Sequence, residues 1–357
     1  MAPNSFKYIA NLDGLRAIAA LFVLLIHGSY GYFAGGWIGV DLFFVLSGFL
    51  ITLLLENEYV NNQHISISKF YIRRILRLLP ALIFCIVLAN VLNLFSTDHS
   101  NRNHWISSLA ALFYFTNILN ISVLGNLSHL WSLSVEEHFY LFWPLLMTIL
   151  FVRTSKKIQI RLLFSVILII TIIKIILSYN DFIYIKNIFV IDIYRFTFFR
   201  MDCLLTGALI GLMYPSLNKI SVGFSNKKYS YLLLFMGFTF TYFLFTLSEN
   251  SLFYKSGGFF IVNVLCAILV FIATKIPNHS LLSNKLLSWL GVRSYGIYIY
   301  HFPIFLLYEV LRVPSNISNY LLVSFLRFST TILIAAISYT YIEKPFLNLK
   351  VKYAVKK

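Results

Sequence analysis

The chain has 357 residues, of which 59% are hydrophobic and only 12% charged, with a formal net charge of +16. Soluble domains carry about 25% charged residues, so this composition excludes an ordinary soluble protein and indicates an integral membrane protein. The basic residues flank apolar segments, which favours a role in membrane topology and argues against a nucleic-acid partner.

Apolar runs predict an all-α polytopic membrane protein with ten spans in a single domain, residues 1–357. A run of roughly 17–25 apolar residues is long enough to cross the hydrocarbon core. A further segment, 104–121, is apolar enough to enter the membrane. The ten predicted spans are 14–33, 36–55, 78–95, 135–152, 160–178, 196–214, 229–247, 257–275, 294–312 and 320–342.

The distribution of Lys and Arg predicts the orientation of these spans. With both termini cytoplasmic, 21 of the 29 basic residues lie inside and six lie outside, which fits the positive-inside rule. A full span at 104–121 would move the basic loop 153–157 outside, so this segment is predicted to be re-entrant or interfacial. The six outer residues are Arg102, Lys186, Arg195, Arg200, Lys255 and Arg312.

The first span carries Arg16 and His27 eleven residues apart. At 100° per residue this spacing is three turns plus about 20°, so both side chains share one helical face, separated by roughly 16 Å along the axis. Ionisable groups at such depth are costly in lipid and indicate function. The structural alternative is an arginine that reaches the interface and a histidine bonded to a neighbouring helix.

The third span begins with a cluster of cations, Arg73, Arg74 and Arg77, at helical spacings that bring them together. Guanidinium groups bind phosphate through paired donors, so the cluster together with Arg16 is a candidate anion site. The alternative is an ordinary anchor on anionic membrane lipid.

The fourth span begins with two adjacent carboxylates, Glu136 and Glu137, near His129 and His138. Neighbouring side chains on a helix point about 100° apart, so at most one carboxylate faces a given cavity squarely. A Glu aligned with His27 could orient or charge-pair the imidazole. Ser134 and Glu137 also have the spacing of a helix capping box, which would give one Glu a structural role.

Other intramembrane polar residues leave alternatives open. Arg200 and Asp202 could pair with each other or bind a hydroxylated acceptor, and His301 could be structural or catalytic. Lys174 and Arg327 have no evident local partner. Since the three cysteines lie in apolar segments without metal-ligand spacing, no metal is expected.

Over almost its whole length the chain resembles the acyltransferase-3 family of membrane O-acyltransferases. The resemblance implies transfer of an acyl group, usually acetyl, from coenzyme A to a sugar hydroxyl of a cell-surface glycan, at the plasma membrane of a bacterium. Some family members carry an additional hydrolase-like domain, and this chain is expected to be of the stand-alone type. The matching motifs are 12–16 with His27, 39–51, Arg74 with Arg77, 131–133 with Glu136 and Glu137, 200–202, 300–303 and 342–346.

Charge placement and the resemblance together predict a two-sided mechanism. Acetyl-CoA would be the co-substrate, bound from the cytoplasm by Arg16, Arg73, Arg74 and Arg77. His27 would act as general base or, alternatively, carry the acyl group covalently, with Glu136 and Glu137 as further catalytic candidates. The glycan acceptor would contact Trp131, Arg200, Asp202 and His301.

The competing hypothesis is a transporter or flippase of a lipid-linked sugar, since transporters also contain intramembrane charges. The lack of an inverted repeat argues against it. The sequence specifies neither the acceptor, the acyl chain nor the oligomeric state.

Overall fold

The computed structural model describes residues 8–29, 31–94, 104–179, 183–186, 188–220, 225–276, 279–310 and 320–350. These residues are almost entirely helical, with one antiparallel two-stranded hairpin, β1 (Ile183–Lys186) and β2 (Phe189–Asp192). The helices are α1 (Ala10–Gly28), α2 (Ile38–Asn62), α3 (Ile67–Leu94), α4 (His104–Leu112), α5 (Ile121–Leu124), α6 (Trp131–Arg153), α7 (Lys156–Tyr179), α8 (Thr197–Ile220), α9 (Asn226–Thr246), α10 (Phe259–Lys275), α11 (Lys285–Val292), α12 (Ser294–Val310), α13 (Tyr320–Ser338) and α14 (Lys344–Lys350).

The described helices confirm an all-α, multi-pass membrane protein. Nine of them are long and apolar enough to cross a membrane, and each coincides with a predicted span. The tenth predicted span, 294–312, corresponds to α12, and its last two residues lie outside the described residues. The predicted outer residues Arg102 and Arg312 also lie outside them.

The segment 104–130 is broken into short pieces. α4 has nine residues, a length of about 13 Å that cannot span the hydrocarbon core. One 3₁₀ turn (Thr116–Ile118) leads to α5, and a second (Gly125–Leu130) runs directly into α6. The hairpin β1–β2 packs against this segment, where the Asn120 amide donates to the Ile188 carbonyl at 2.9 Å.

The central packing contact is the crossing of α2 and α8, where two glycines let the backbones touch. A Cβ on Gly48 would lie 1.9 Å from the Leu204 carbonyl oxygen, and a Cβ on Gly207 would lie 2.1 Å from that of Val45. No side chain fits at either position without moving a helix. This close approach encloses the charged residues of α8 within the bundle.

Candidate active site

Two cavities lie in the helix bundle, and α1 contributes to both. The arginine cavity, of about 70 Å³, is lined by Arg16, Arg74 and Arg77 together with residues of α2, α6 and α12. The histidine cavity, of about 480 Å³, is lined by His27 and His129 together with residues of α7, α12 and the loops around β2 and before α10. Arg16 and His27 therefore each face a cavity, but not the same one.

The arginine cavity carries an excess of positive charge. Glu136 is the one carboxylate among its described lining residues, against three arginines. The Arg74 guanidinium lies 4.1 Å from the centre of the Tyr140 ring, which holds it in place. Arg73, expected in the same cluster, instead faces Glu58 at 3.6 Å and does not line the cavity. Arg16 also pairs with Asp13 at 3.6 Å, so the site holds three arginines against two carboxylates. This remaining positive charge in a concave site favours an anionic ligand.

Glu136 lies on the arginine side, which differs from the expectation that it would accompany His27. Ser47 and Tyr140 both donate hydrogen bonds to its Oε1 atom. Glu137, turned by about 100° on the helix, lines neither cavity among the described residues, and its buried Oε1 atom has no hydrogen-bond partner.

The expected capping box of Ser134 and Glu137 is wrong. α6 begins three residues earlier, at Trp131, because the preceding 3₁₀ turn leads straight into it. Ser134 therefore lies within the helix, and its hydroxyl is within 2.8 Å of the Thr116 hydroxyl.

His27 lies at the end of α1 with its ring open to the histidine cavity. Its Nδ1 atom is 2.9 Å from the Val23 carbonyl oxygen. A carbonyl oxygen can only accept, so Nδ1 carries the proton of the neutral ring, and Nε2 keeps its lone pair. The ring is thus oriented as a base by its own helix.

Two further histidines lie near His27: His301 packs against it, and His129 packs against His301. Ring centroids lie 5.0 Å apart for His27 and His301, and 5.1 Å apart for His301 and His129. His301 is fully buried, donates from Nδ1 to the Tyr298 carbonyl, and has no partner at Nε2. His301 therefore packs against the ring of His27 and supports it. Among the described residues that line the two cavities, His301 does not occur.

A proline explains the position of His129. Pro303 lies inside α12 and has no N–H, so the carbonyl of Ile299, four residues earlier, lacks its usual helical donor. That oxygen accepts from His129 Nε2 at 2.9 Å and from the Cys85 thiol at 3.0 Å. The kinked helix thus fixes the His129 ring at the edge of the histidine cavity.

The rest of the histidine cavity combines aromatic, carboxylic and cationic side chains, the cations being Lys174, Arg195 and Lys255. Arg195 pairs with Asp192 at 3.1 Å. Trp131 and Tyr194 pack with ring centroids 5.0 Å apart, and both line the cavity with Asp192 and Glu249. Burial raises the pKa of Glu249, and the neighbouring Asp192 carboxylate raises it further. Burial, and then the nearby Glu249, also raise the pKa of Tyr194, which therefore remains a hydrogen-bond donor.

Arg200 and Asp202 lie in a buried network of ion pairs and line neither cavity among the described residues. Arg200 pairs with Asp41, and Asp202 pairs with Lys174 at 2.7 Å. All four side chains are at most 1% exposed. Lys174, for which the sequence offered no partner, thus has one on the next helix.

Arg327, for which the sequence also offered no partner, pairs with Glu309 at 3.6 Å.

Within the described residues, no group of three or more His, Cys, Asp or Glu could hold a metal ion.

Sequence reasoning missed several residues that the cavities bring together. His129 was noted only as a neighbour of the carboxylates, and the loop residues Asp192, Tyr194 and Glu249 carry no motif. The one usable signal was Pro303, because a proline inside an apolar helix frees a carbonyl that some buried donor must satisfy.

Comparison with known proteins identifies similar chains. A family model described as an acyltransferase domain matches residues 9–340. The peptidoglycan O-acetyltransferase OatA of Listeria monocytogenes is 32% identical over 96% of this chain and 56% of its own length. The O-acetyltransferase OatA of Staphylococcus aureus (strain NCTC 8325) is 34% identical over 95% of this chain and 57% of its own.

A further relative, from Staphylococcus aureus strain COL, is 32% identical over 98% of this chain and 59% of its own length. The chain thus spans less than two thirds of these relatives. No solved structure matches it.

Proposed function

The chain belongs to the acyltransferase family whose model spans residues 9–340, and from this premise we propose that it transfers an acyl group, acetyl in the simplest case, from cytoplasmic acyl-CoA to a hydroxyl of a cell-surface glycan or its lipid-linked precursor. Acetylation of a glycan is favoured because one relative is a peptidoglycan O-acetyltransferase.

The arginine cavity is the proposed donor site. Acyl-CoA carries phosphates on a long, thin arm, and Arg16, Arg74 and Arg77 supply the cations that would bind them. The phosphates belong to the nucleotide, at the opposite end of the arm from the thioester, and a cavity of about 70 Å³ does not hold the nucleotide. The arginines would therefore bind the phosphates at the mouth of the cavity, and the thioester end of the arm would enter it. Arg73, paired with Glu58, contributes charge from a distance.

His27 is the proposed general base. In the reaction, the acceptor oxygen bonds to the acyl carbon, the C–S bond of the thioester breaks, and the hydroxyl proton must leave. The Nε2 lone pair of His27 is available to accept that proton because Nδ1 already donates to Val23. His301, packed against the ring, is a positioning residue in this scheme.

The histidine cavity is the proposed acceptor site. Sugars present apolar ring faces and many hydroxyls, which suit aromatic surfaces flanked by carboxylates. Trp131 and Tyr194 supply the aromatic surface, and Asp192 and Glu249 the hydrogen-bonding groups. Arg200, with Asp202 in the same ion-pair network, would support this aromatic surface without lining the cavity. The Arg200 guanidinium lies 5.8 Å from the centre of the Trp131 ring.

The observation that carries the proposal is the geometry of α1. One helix presents a phosphate-binding cation to the first cavity and a base to the second. A donor and an acceptor that reach the protein from opposite sides of the membrane require this arrangement.

His27→Ala is expected to lower acetylation by about 10²–10⁴-fold, because the base is lost while the arginine cavity is untouched. The measurement is ester-linked acetate on surface glycans of cells expressing each variant, with binding of CoA to the purified protein measured in parallel. His64→Ala, an exposed histidine between α2 and α3, is the matched control. Activity of His27→Ala within about threefold of wild type would exclude a general base here.

Labelling tests the two-sided arrangement. The exposed residues Ser122 and Ser155 lie before and after α6. The positive-inside rule places Ser122 outside and Ser155 inside. Ser122→Cys should react with a membrane-impermeant thiol reagent in intact cells, and Ser155→Cys only after permeabilisation. The three native cysteines are buried and give little background. Labelling of Ser155→Cys in intact cells would contradict the proposed sides of donor and acceptor.

A further inference from the structure

The wall between the two cavities is only one pair of side chains thick. At one point in the wall, the Tyr298 ring faces the arginine cavity and the adjacent His129 ring faces the histidine cavity, with ring centroids 6.0 Å apart. At a second point, Phe44 faces the arginine cavity and Trp131 the histidine cavity, with ring centroids 6.3 Å apart.

This wall is too thick for the proposed reaction to take place across it. Reacting atoms must approach to about 3–3.5 Å before a bond can form. A thioester on one side and a hydroxyl on the other are held further apart than that by either ring pair. One of the wall residues must therefore move during transfer.

Tyr298 is the wall residue whose phenol is held in place by hydrogen bonds, which can break and re-form. Phe44 is only 1% exposed within the α2 core, and Trp131 packs between Arg200 and Tyr194. Tyr298 is half-buried, and one side of its ring borders the arginine cavity.

Two hydrogen bonds hold the Tyr298 phenol in the wall. It donates to the His129 carbonyl oxygen at 2.8 Å, which uses its only proton. The Ser132 hydroxyl then donates to the phenol oxygen. The first of these bonds ends on a residue that lines the histidine cavity, so the phenol is fastened to the proposed acceptor site.

We propose that Tyr298 is the gate between the two cavities and determines whether the thioester reacts with the acceptor or with water. This inference rests on the proposed function. With both hydrogen bonds made, water in the larger cavity does not reach the thioester. With the gate open and no acceptor bound, water attacks instead: the C–S bond breaks, a C–O bond forms, and the proton from water goes to the thiolate, giving acetic acid and CoA.

The test uses the purified full chain in detergent with acetyl-CoA and no acceptor. Tyr298→Phe keeps the ring but loses both hydrogen bonds, so the rate of acetate and free-thiol formation should rise roughly tenfold over wild type. Tyr298→Ala removes the wall and should raise it at least as much. Adding Arg77→Ala to Tyr298→Phe should cancel the rise, because the thioester is then poorly held.

Tyr308→Phe is the matched control, since Tyr308 is also on α12 and its hydroxyl lies 2.8 Å from that of Thr330. It should hydrolyse acetyl-CoA at the wild-type rate. Should Tyr298→Ala not fold, Tyr298→Phe decides alone. If wild type binds CoA and Tyr298→Phe hydrolyses no faster than Tyr308→Phe, the gate is wrong and the proposed function stands. If wild type binds no CoA, both are wrong.

Discussion

Arg74 and Arg77 on α3 and Lys174 and Arg200 on α7 and α8 are all cations within apolar helices, yet their surroundings differ. Lys174 and Arg200 each meet a carboxylate, Asp202 and Asp41, in a network whose side chains are at most 1% exposed, although Lys174 also borders the histidine cavity. The arginines of α3 border a cavity that contains one carboxylate for three cations.

The difference shows what separates a structural charge from a ligand-binding charge in a membrane. A buried cation must be neutralised, and where the protein supplies the anion, no ligand is needed. Where the protein leaves a positive charge without a carboxylate, a ligand or solvent has to supply the negative charge. Both pairs of cations looked alike in the sequence, because the matching carboxylates lie on other helices than the cations they neutralise.

The largest effect is expected for Arg200→Ala. Removal of one partner leaves Asp41 buried and uncompensated, which costs about 3–5 kcal/mol of stability. The check is thermal unfolding in detergent. The double variant Asp41→Leu with Arg200→Met removes both charges and should regain most of the lost stability. If Arg200→Ala unfolds at the wild-type temperature, the ion pair is not a structural element and the comparison fails.

A smaller effect, on binding and not on stability, is expected for Arg74→Ala and Arg77→Ala. Each should weaken CoA binding by roughly 1.5–3 kcal/mol, or about tenfold or more, through loss of charge-assisted hydrogen bonds. Titration calorimetry gives the dissociation constant, and the unfolding temperature should change little. An unchanged dissociation constant for both variants would return these residues to the role of lipid anchors.

The smallest effect is expected for Arg73→Ala, the neighbour of Arg74 in sequence. Its guanidinium pairs with Glu58 and does not line the arginine cavity, so its loss should weaken CoA binding only a few-fold. Titration calorimetry again measures the dissociation constant of CoA, and thermal unfolding checks that the variant is folded. A loss of affinity as large as that of Arg77→Ala would mean that Arg73 turns into the cavity when the donor binds.

The fold was predictable because membrane spans follow from local composition. Each of the nine candidate spans corresponds to an apolar run, and the breaks in 104–130 fit the re-entrant or interfacial prediction. The hairpin β1–β2 was not predicted, since its strands have only four residues each, too few for a clear alternating pattern.

The candidate site was predictable in part. Helical periodicity put Arg16 and His27 on one face, and both do face cavities. Periodicity could not show that a wall separates them, nor that Glu136 accompanies the arginines, because both facts depend on how α6 and α12 pack against α2. Tyr194 and Glu249 lie in loops. Loops have no regular periodicity, so a single sequence does not show where their side chains point.

The buried ion pairs also have a consequence for biogenesis. Asp41 is synthesised 159 residues before Arg200, so α2 enters the bilayer with a lone charge, at a cost of about 2.5–3.5 kcal/mol. α2 can bear this cost with a mean hydropathy of 2.4, whereas α8, with 1.2, is the least apolar of the nine candidate spans. When α8 leaves the translocon, α2 and α7 already present its counter-charges. The early helices thus act as a built-in insertion partner for the late one.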